Sequence, residues 1–409
     1  MTSSPIARRE LLRYSAGGVA ALPFALNVIS GSTPSESPAP SQASQRSTPH
    51  RPRHYGVVYD VGLRYGPEGL SVEPFDEDLV RHDIHSIASE LHANAIRIEG
   101  EVIDRLVTAT RIAHAAGLTV YFNPWKMNAG LDETRSYVAQ AAQAAERLRR
   151  EGVDIVFLVG CELTIFTDGI YPGASYAERG AWLGEQARLA YTPPGSPEAL
   201  KTLAEKAELL NETLRSYVVA VRRNFQGVVS YAAGLWEDVD WSPFDIVGLD
   251  AYRDSQTEKE YRAIFKRHRK HGKPIAATEF GCCKYVGAGA RGAGGFSVLQ
   301  GANPDGTGIW ADGVVPTRDE AEQAEYIGTQ IDLMTDSKVD ALFVFEFSKP
   351  VLPTGEGAKD LDMASFAIVS SYPASDPRSQ QMPPWKRTEG FRRVSEIFAR
   401  FAAETGSGR

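Results

Sequence analysis

The stretch Asp154-Ile155-Val156-Phe157-Leu158-Val159-Gly160-Cys161-Glu162 has a counterpart in Lys273-Pro274-Ile275-Ala276-Ala277-Thr278-Glu279. Each is a short apolar run that is flanked at its start by a charged residue and stops at a glutamate. A strand buried on both faces of a parallel sheet reads this way. A carboxylate at the C-terminal end of such a strand lies where barrel enzymes keep their chemistry. Two of them suggest a carboxylate pair facing one pocket.

Working outward, runs of the same kind recur at residues 55–60, 95–99, 119–123, 155–160, 228–232, 246–250, 275–279 and 341–347, eight in all. Helical patterns separate or follow them at 77–91, 101–116, 132–151, 196–224, 257–271, 317–335 and 388–403. Gly117 and Gly272, placed after a helix and before a strand, mark helix C-termini. Alternating strands and helices demand right-handed βαβ units and a parallel sheet. Eight repeats favour closure into an α/β (β/α)8 TIM barrel over an open sheet. No Gly-x-Gly-x-x-Gly follows the first strand, which weighs against a dinucleotide site. Three connections are long, residues 163–196, 284–316 and 348–385, and follow strands four, seven and eight. They therefore lie on the catalytic face, as pocket walls or a lid. Taken singly, each is also what a tolerated insertion looks like.

The first fifty residues do not read as folded protein. Arg8-Arg9 precedes an uncharged, small and apolar stretch, so residues 1–30 are expected to be a twin-arginine-type signal peptide. A short amphipathic helix is the plainer alternative. Residues 31–53, rich in Ser and Pro, are expected to be a disordered linker, and 54–404 the barrel domain. No later stretch approaches the roughly 18 apolar residues of a membrane span, and the absence of Cys before Cys161 excludes a lipid anchor. The expectation is a secreted protein, extracellular or in the cell envelope. The 409 residues carry 44 Lys and Arg against 52 Asp and Glu, a net charge of −8 without a basic run beyond the signal region, which argues against nucleic acid. The excess of acid reads as a solubility feature. Composition alone leaves the oligomeric state open.

Facing carboxylates at the mouth of a barrel suit glycosidic bond cleavage. One protonates the leaving oxygen while the other attacks the anomeric carbon or activates water; a gap of about 5 Å implies retention and roughly 6.5–9.5 Å inversion. The acid must stay protonated at neutral pH, so burial and a neighbouring negative charge have to raise its pKa.

Val159-Gly160-Cys161-Glu162 and Thr278-Glu279-Phe280-Gly281 resemble the paired glutamate segments of clan A glycoside hydrolases, which are retaining (β/α)8 barrels. The resemblance spans about residues 55–403 and assigns no numbered family. It implies that Glu162 is the acid/base and Glu279 the nucleophile. It also implies that Arg97 holds the nucleophile ionised and that Tyr252 hydrogen-bonds it. The tail, Met363 to Ile368 followed by Trp385-Lys386, resembles these barrels too. Two positions depart from the pattern. Cys161 stands where the clan places an asparagine that binds the sugar 2-hydroxyl, and a thiol is a poor donor. Phe345-Glu346-Phe347 stands where a tryptophan platform is usual. Either the substrate is unusual or the site has been adapted to other chemistry.

On the same rim, Asp60, Glu99, Glu101, Glu237, Asp250 and Glu346 end strands or begin the following loops; most such acids pair with Arg or Lys. Glu237 and Glu346 are candidate substrate contacts. Trp125, Trp236 and Trp310 sit in loops after strands, where an aromatic face can stack on a sugar or simply pack the wall. Cys161 is a further candidate contact. With Cys282 and Cys283 it could bind zinc, but adjacent cysteines make no C-x2-C chelate, and His82, His85, His114 and His268 fall in helical patterns. The expectation is therefore no metal and no cofactor. A Cys161–Cys282 disulfide across the mouth is another reading of the same residues.

Three functions remain open: a retaining β-glycosidase using Glu162 and Glu279 on a carbohydrate or small-molecule substrate; a barrel of that descent doing acid/base chemistry on a small non-polymer substrate, such as a secondary metabolite; and a non-catalytic carbohydrate-binding barrel.

Overall fold

The computed structural model describes residues 50–66 and 69–406. The expected signal segment and most of the expected linker lie outside them. Residues 50–53, assigned to the linker on composition, already dock on the barrel, where Arg53 N donates to Asp340 O at 2.8 Å.

Eight parallel strands close into a barrel: β1 (His54–Asp60), β2 (Ala95–Gly100), β3 (Thr119–Pro124), β4 (Ile155–Cys161), β5 (Val228–Gly234), β6 (Val247–Asp250), β7 (Ile275–Phe280) and β8 (Ala341–Val344). β8 pairs with β1 and completes the ring. The outer helices are α1 (Glu77–Ser89), α2 (Ile103–Ala115), α3 (Leu131–Arg150), α4 (Tyr176–Tyr191), α5 (Pro197–Arg222), α6 (Glu258–His268), α7 (Glu320–Asp336) and α8 (Glu389–Gly406). Local chemistry sets several starts. Asp76 caps α1 by accepting from Asp78 N and Leu79 N, and Thr257 with Glu260 forms a reciprocal capping box on α6. Among the described residues no helix is long and apolar enough to cross a membrane.

Strand alternation sorts side chains between two cores. Ile96 and Ile98 point out to the helices, whereas Ala95 belongs to a small core inside the barrel. Parity therefore sends Arg97 and Glu99 inward as well.

Parity breaks at both catalytic candidates. Ile155, Phe157 and Val159 of β4 face the helices, but Cys161 joins the inner core, because the β4–β5 register shifts between Leu158 and Cys161. In β7, Ile275 and Ala277 face outward, so strict alternation would turn Glu279 outward too. The register shifts there against both neighbours, and Phe280 takes the outward place. One extra residue in a strand rotates everything after it. The bulge in β7 brings Glu279 to the pocket, and that in β4 brings Cys161 beside it.

The long connections carry more structure than their composition indicates. The segment after β4 contains α4, which the sequence reading missed. The segments after β7 and β8 build a second apolar core over part of the mouth, around Cys283, Tyr285, Trp310, Met363 and Phe366. Two antiparallel hairpin pairs reinforce it, Leu299–Ala302 with Gly308–Trp310 and Val369–Ser371 with Trp385–Arg387. A buried cation fastens the two segments: Lys284 Nζ donates to Asp362 Oδ1 at 2.8 Å, Ser365 Oγ at 3.0 Å and Ala367 O at 2.7 Å. Arg318 reaches Asp362 from the other side at 2.9 Å. The chain ends meet at Asp83, which accepts from Tyr59 Oη on β1 and from Trp385 Nε1 ahead of α8.

Breaking a buried pair by removing one partner typically costs about 3–5 kcal/mol. Lys284→Met should therefore lower the free energy of unfolding by about 3 kcal/mol or more in chemical denaturation. A loss near zero would show that Arg318 alone neutralises Asp362.

Candidate active site

At the C-terminal ends of the strands, Glu162 and Glu279 line one pocket of about 220 Å³, with Trp125, Trp236, Tyr252 and Glu346 around them. The turn that carries Glu162 is unusual. Glu162 has φ 42° and ψ 49°, in the left-handed region, and starts a single helical turn, Leu163–Phe166. Such a conformation is uncommon for a non-glycine residue and recurs at functional sites. Glu162 N donates to Ala232 O of β5 at 2.9 Å, and Leu163 N to Tyr231 Oη at 2.8 Å. The half-buried Glu162 carboxyl makes no hydrogen bond with any described residue and opens to the pocket. Burial holds it well above the usual carboxylate range, with Asp250, Glu279 and Glu237 adding in the same direction and Arg97 opposing.

Glu279 is held instead. Arg97 Nη1 lies 2.8 Å from its Oε1, and Tyr252 Oη donates to its Oε2 at 2.9 Å. The Cys161 thiol lies 3.5 Å from Oε1. Arg97 is completely buried; the same Nη1 donates to Thr278 O at 2.9 Å and lies 3.6 Å from Asp250. Its Nη2 is 3.3 Å from Glu99. Burial works against its charge, but the carboxyl groups around it, Glu279 first, outweigh it, so Arg97 stays cationic.

Asp250 accepts from Thr278 Oγ1 at 2.8 Å and from the Cys161 thiol at 3.4 Å. Burial and Glu279 push its pKa up to about 8. Cys161, Asp250 and Glu279 bring donor atoms within 4.8 Å of one another. Burial, then Asp250 and Glu279, raise the thiol pKa, and the Arg97 guanidinium, 2.8 Å from Glu279 and 3.6 Å from Asp250, already supplies positive charge to the cluster.

Of the other expected contacts, Glu346 lies beside Lys349 Nζ at 3.2 Å, and burial pushes its pKa up to about 7. Lys349 also donates to Tyr65 Oη at 3.2 Å. Trp236 lines the pocket, with Nε1 on Thr164 Oγ1 at 3.0 Å. Trp125 packs edge-on against Phe166, ring centroids 4.9 Å apart.

Four candidates do not line the pocket. Arg97 and Cys161 are fully buried against Glu279, and two more lie away from it. Glu237 is a brace: it accepts from Thr164 N, Thr164 Oγ1, Tyr231 Oη and Gly234 N, which fixes the turn behind Glu162. Trp310 packs in the second core, with Nε1 on Ala358 O at 3.1 Å, because its loop folds back as a hairpin. The thought of a Cys161–Cys282 disulfide is also corrected: all three cysteines are free and buried. Lys349, Tyr65 and Phe296 line the pocket and were not singled out from sequence. Only Lys349, close behind Phe345-Glu346-Phe347, offered a signal.

No protein-family model matches the chain, and no curated protein matches it. Solved structures do. A GH113 β-1,4-mannanase superposes with a TM-score of 0.53 at 12% identity, over 86% of this chain and 99% of that one. The GH113 β-mannanase of Alicyclobacillus acidocaldarius gives 0.50 at 16% identity, over 86% and 98%. The chain thus shares the barrel fold of these mannanases.

After burial, the charge of Asp250 does most to raise the Glu162 pKa. Asp250→Asn should therefore shift the titration of the Glu162 carboxyl, followed by carbon-13 NMR, to lower pH. An unmoved titration would remove Asp250 from the control of Glu162.

Proposed function

We propose that the protein is a retaining β-glycosidase in which Glu279 attacks the anomeric carbon and Glu162 serves as acid/base. The observation that carries this reading is the contrast between the two carboxyls in one pocket. Glu279 is gripped by a guanidinium at 2.8 Å and a phenol at 2.9 Å. Glu162 is free of protein partners among the described residues and pushed toward its protonated form. The first suits a carboxylate that bonds carbon and later leaves, the second a carboxylic acid that gives its proton to a leaving oxygen. In the first step the Glu279 oxygen bonds to the anomeric carbon as the glycosidic C–O bond breaks. The aglycone oxygen takes the Glu162 proton. In the second, Glu162 as base draws a proton from water, which displaces Glu279. Activity should fall as pH rises through the raised Glu162 pKa, since the acid form is lost.

The test is intact-protein mass spectrometry after exposure to activated 2-deoxy-2-fluoro glycosides, which accumulate the glycosyl-enzyme. A sugar adduct on the Glu279 peptide, absent in Glu279→Gln, is expected. Glu162→Gln should slow turnover of unactivated substrates by about 10²–10⁴-fold. No adduct across a broad sugar panel would favour the second reading, acid/base chemistry on a small non-polymer substrate. One observation supports that alternative: Cys161 places a thiol between Asp250 and Glu279, where a sugar-binding amide would otherwise stand.

Export by a twin-arginine-type signal is proposed for residues 1–30 on sequence grounds alone. The Arg8→Lys/Arg9→Lys double variant should remain in the cytoplasm of a host that has this route; undiminished export would rule the signal out.

A further inference from the structure

We propose that the substrate is a glycoside with a large hydrophobic aglycone, which leaves the carboxylates along an apolar passage bounded by Leu183 and Trp236. The inference rests on the glycosidase reading and names the substrate class of the same site.

The pocket divides by chemistry. Glu162, Asp250, Glu279, Glu346 and Lys349 stand at the strand ends or just beyond them, while Asp254, Gln256 and Arg291 line it farther out along the loops after β6 and β7. Above them rise two aromatic walls on different sides of the ring. After β1, β3 and β4, Trp125 meets Phe166, Phe166 stacks on Tyr176 at 5.6 Å, and Tyr176 meets Tyr65. After β6, β7 and β8, Phe366 contacts Phe345 at 5.7 Å, Tyr252 at 5.6 Å and Phe296 at 6.4 Å. Leu183, Leu235 and Leu352 fill the lining between polar groups.

On the side lined by Phe166, Leu183 and Leu235, a second sugar would set hydroxyls against apolar side chains that cannot replace water, which is unfavourable. An alkyl chain or fused ring system gains from the same surface.

A second cavity adjoins the pocket. Leu183 and Trp236 also line this cavity of about 230 Å³ between α4 and α5, walled by Leu200, Leu203, Ala204 and Leu210. Its buried polar groups are already engaged, since Thr164 and Glu237 hydrogen-bond each other. At its rim Tyr191 and Leu200 remain 48% and 44% exposed, unusual for side chains of this size. Polar floor, apolar walls and an apolar exit match an amphiphile with its sugar at Glu162 and Glu279.

The experiment measures binding of methyl, hexyl and octyl β-D-mannosides and β-D-glucosides, below micelle-forming concentrations, to the full chain carrying Glu162→Gln. Binding is read by calorimetry and by fluorescence of the lining tryptophans. Affinity should rise at least about tenfold from methyl to octyl, since a fully buried methylene is worth up to roughly fourfold. Leu183→Asp should remove most of that gain. Leu200→Asp, at a half-exposed position that tolerates charge, should remove the part added between hexyl and octyl. Equal affinity along the alkyl series, or affinity that grows only with added mannose units, would overturn the inference. Labelling of Glu279 without alkyl preference sinks this inference and leaves the glycosidase reading intact. Alkyl preference without labelling does the reverse: it supports an apolar-ligand passage and removes the glycosidase reading.

Discussion

A guanidinium with no access to water persists only where carboxylates surround it, and Arg97 stands in that position at the centre of the barrel mouth. Within 3.6 Å it meets Glu279, Asp250 and Glu99, contributed by three different strands. Burying a guanidinium among carboxyl groups is expensive, and their mutual attraction offsets that cost only with the geometry intact. The cluster therefore couples closure of the barrel to the state of the site. It also separates the two glutamates chemically. Glu279 takes the cation, and Glu162, farther along the rim, feels the remaining negative charge of Asp250 and Glu279 as a force holding its proton.

Cys161 fits this arrangement as a spacer that carries a proton. Its sulfur touches Asp250 and Glu279 at 3.4 and 3.5 Å, and its raised pKa keeps the thiol neutral among acids. An amide there would present a hydrogen-bonding arm to the pocket; a buried thiol presents little. The thiol and the aromatic walls together keep the polarity of the space beside the carboxylates low.

The long segments after β4, β7 and β8 show how a barrel acquires such walls. The segment after β4 supplies Phe166, Tyr176 and Leu183, and those after β7 and β8 fold on their own apolar core before presenting Phe296 and Phe366. Lys284 and Asp362 lock the latter pair from beneath. The rim residues thus rest on a packed, ion-paired base, which keeps the walls in place without help from substrate.

Strand count, helix alternation and the position of both glutamates at strand ends were legible in the chain, because burial on two faces imposes continuous apolar runs and a helix imposes its own period. The sequence also pointed to Arg97, Tyr252 and Glu346, each adjacent to such a run. It misassigned Trp310 and Glu237, since an aromatic or an acid after a strand reads alike whether it faces a pocket, packs a hairpin or braces a turn. What the sequence by itself determined is the barrel and the inventory of acids at its mouth, both products of local pattern. Which acids face each other was decided by tertiary structure alone. Alternation would have turned Glu279 toward the helices; the register shift of β7 reverses it, and a register shift is a property of paired strands, absent from either strand alone.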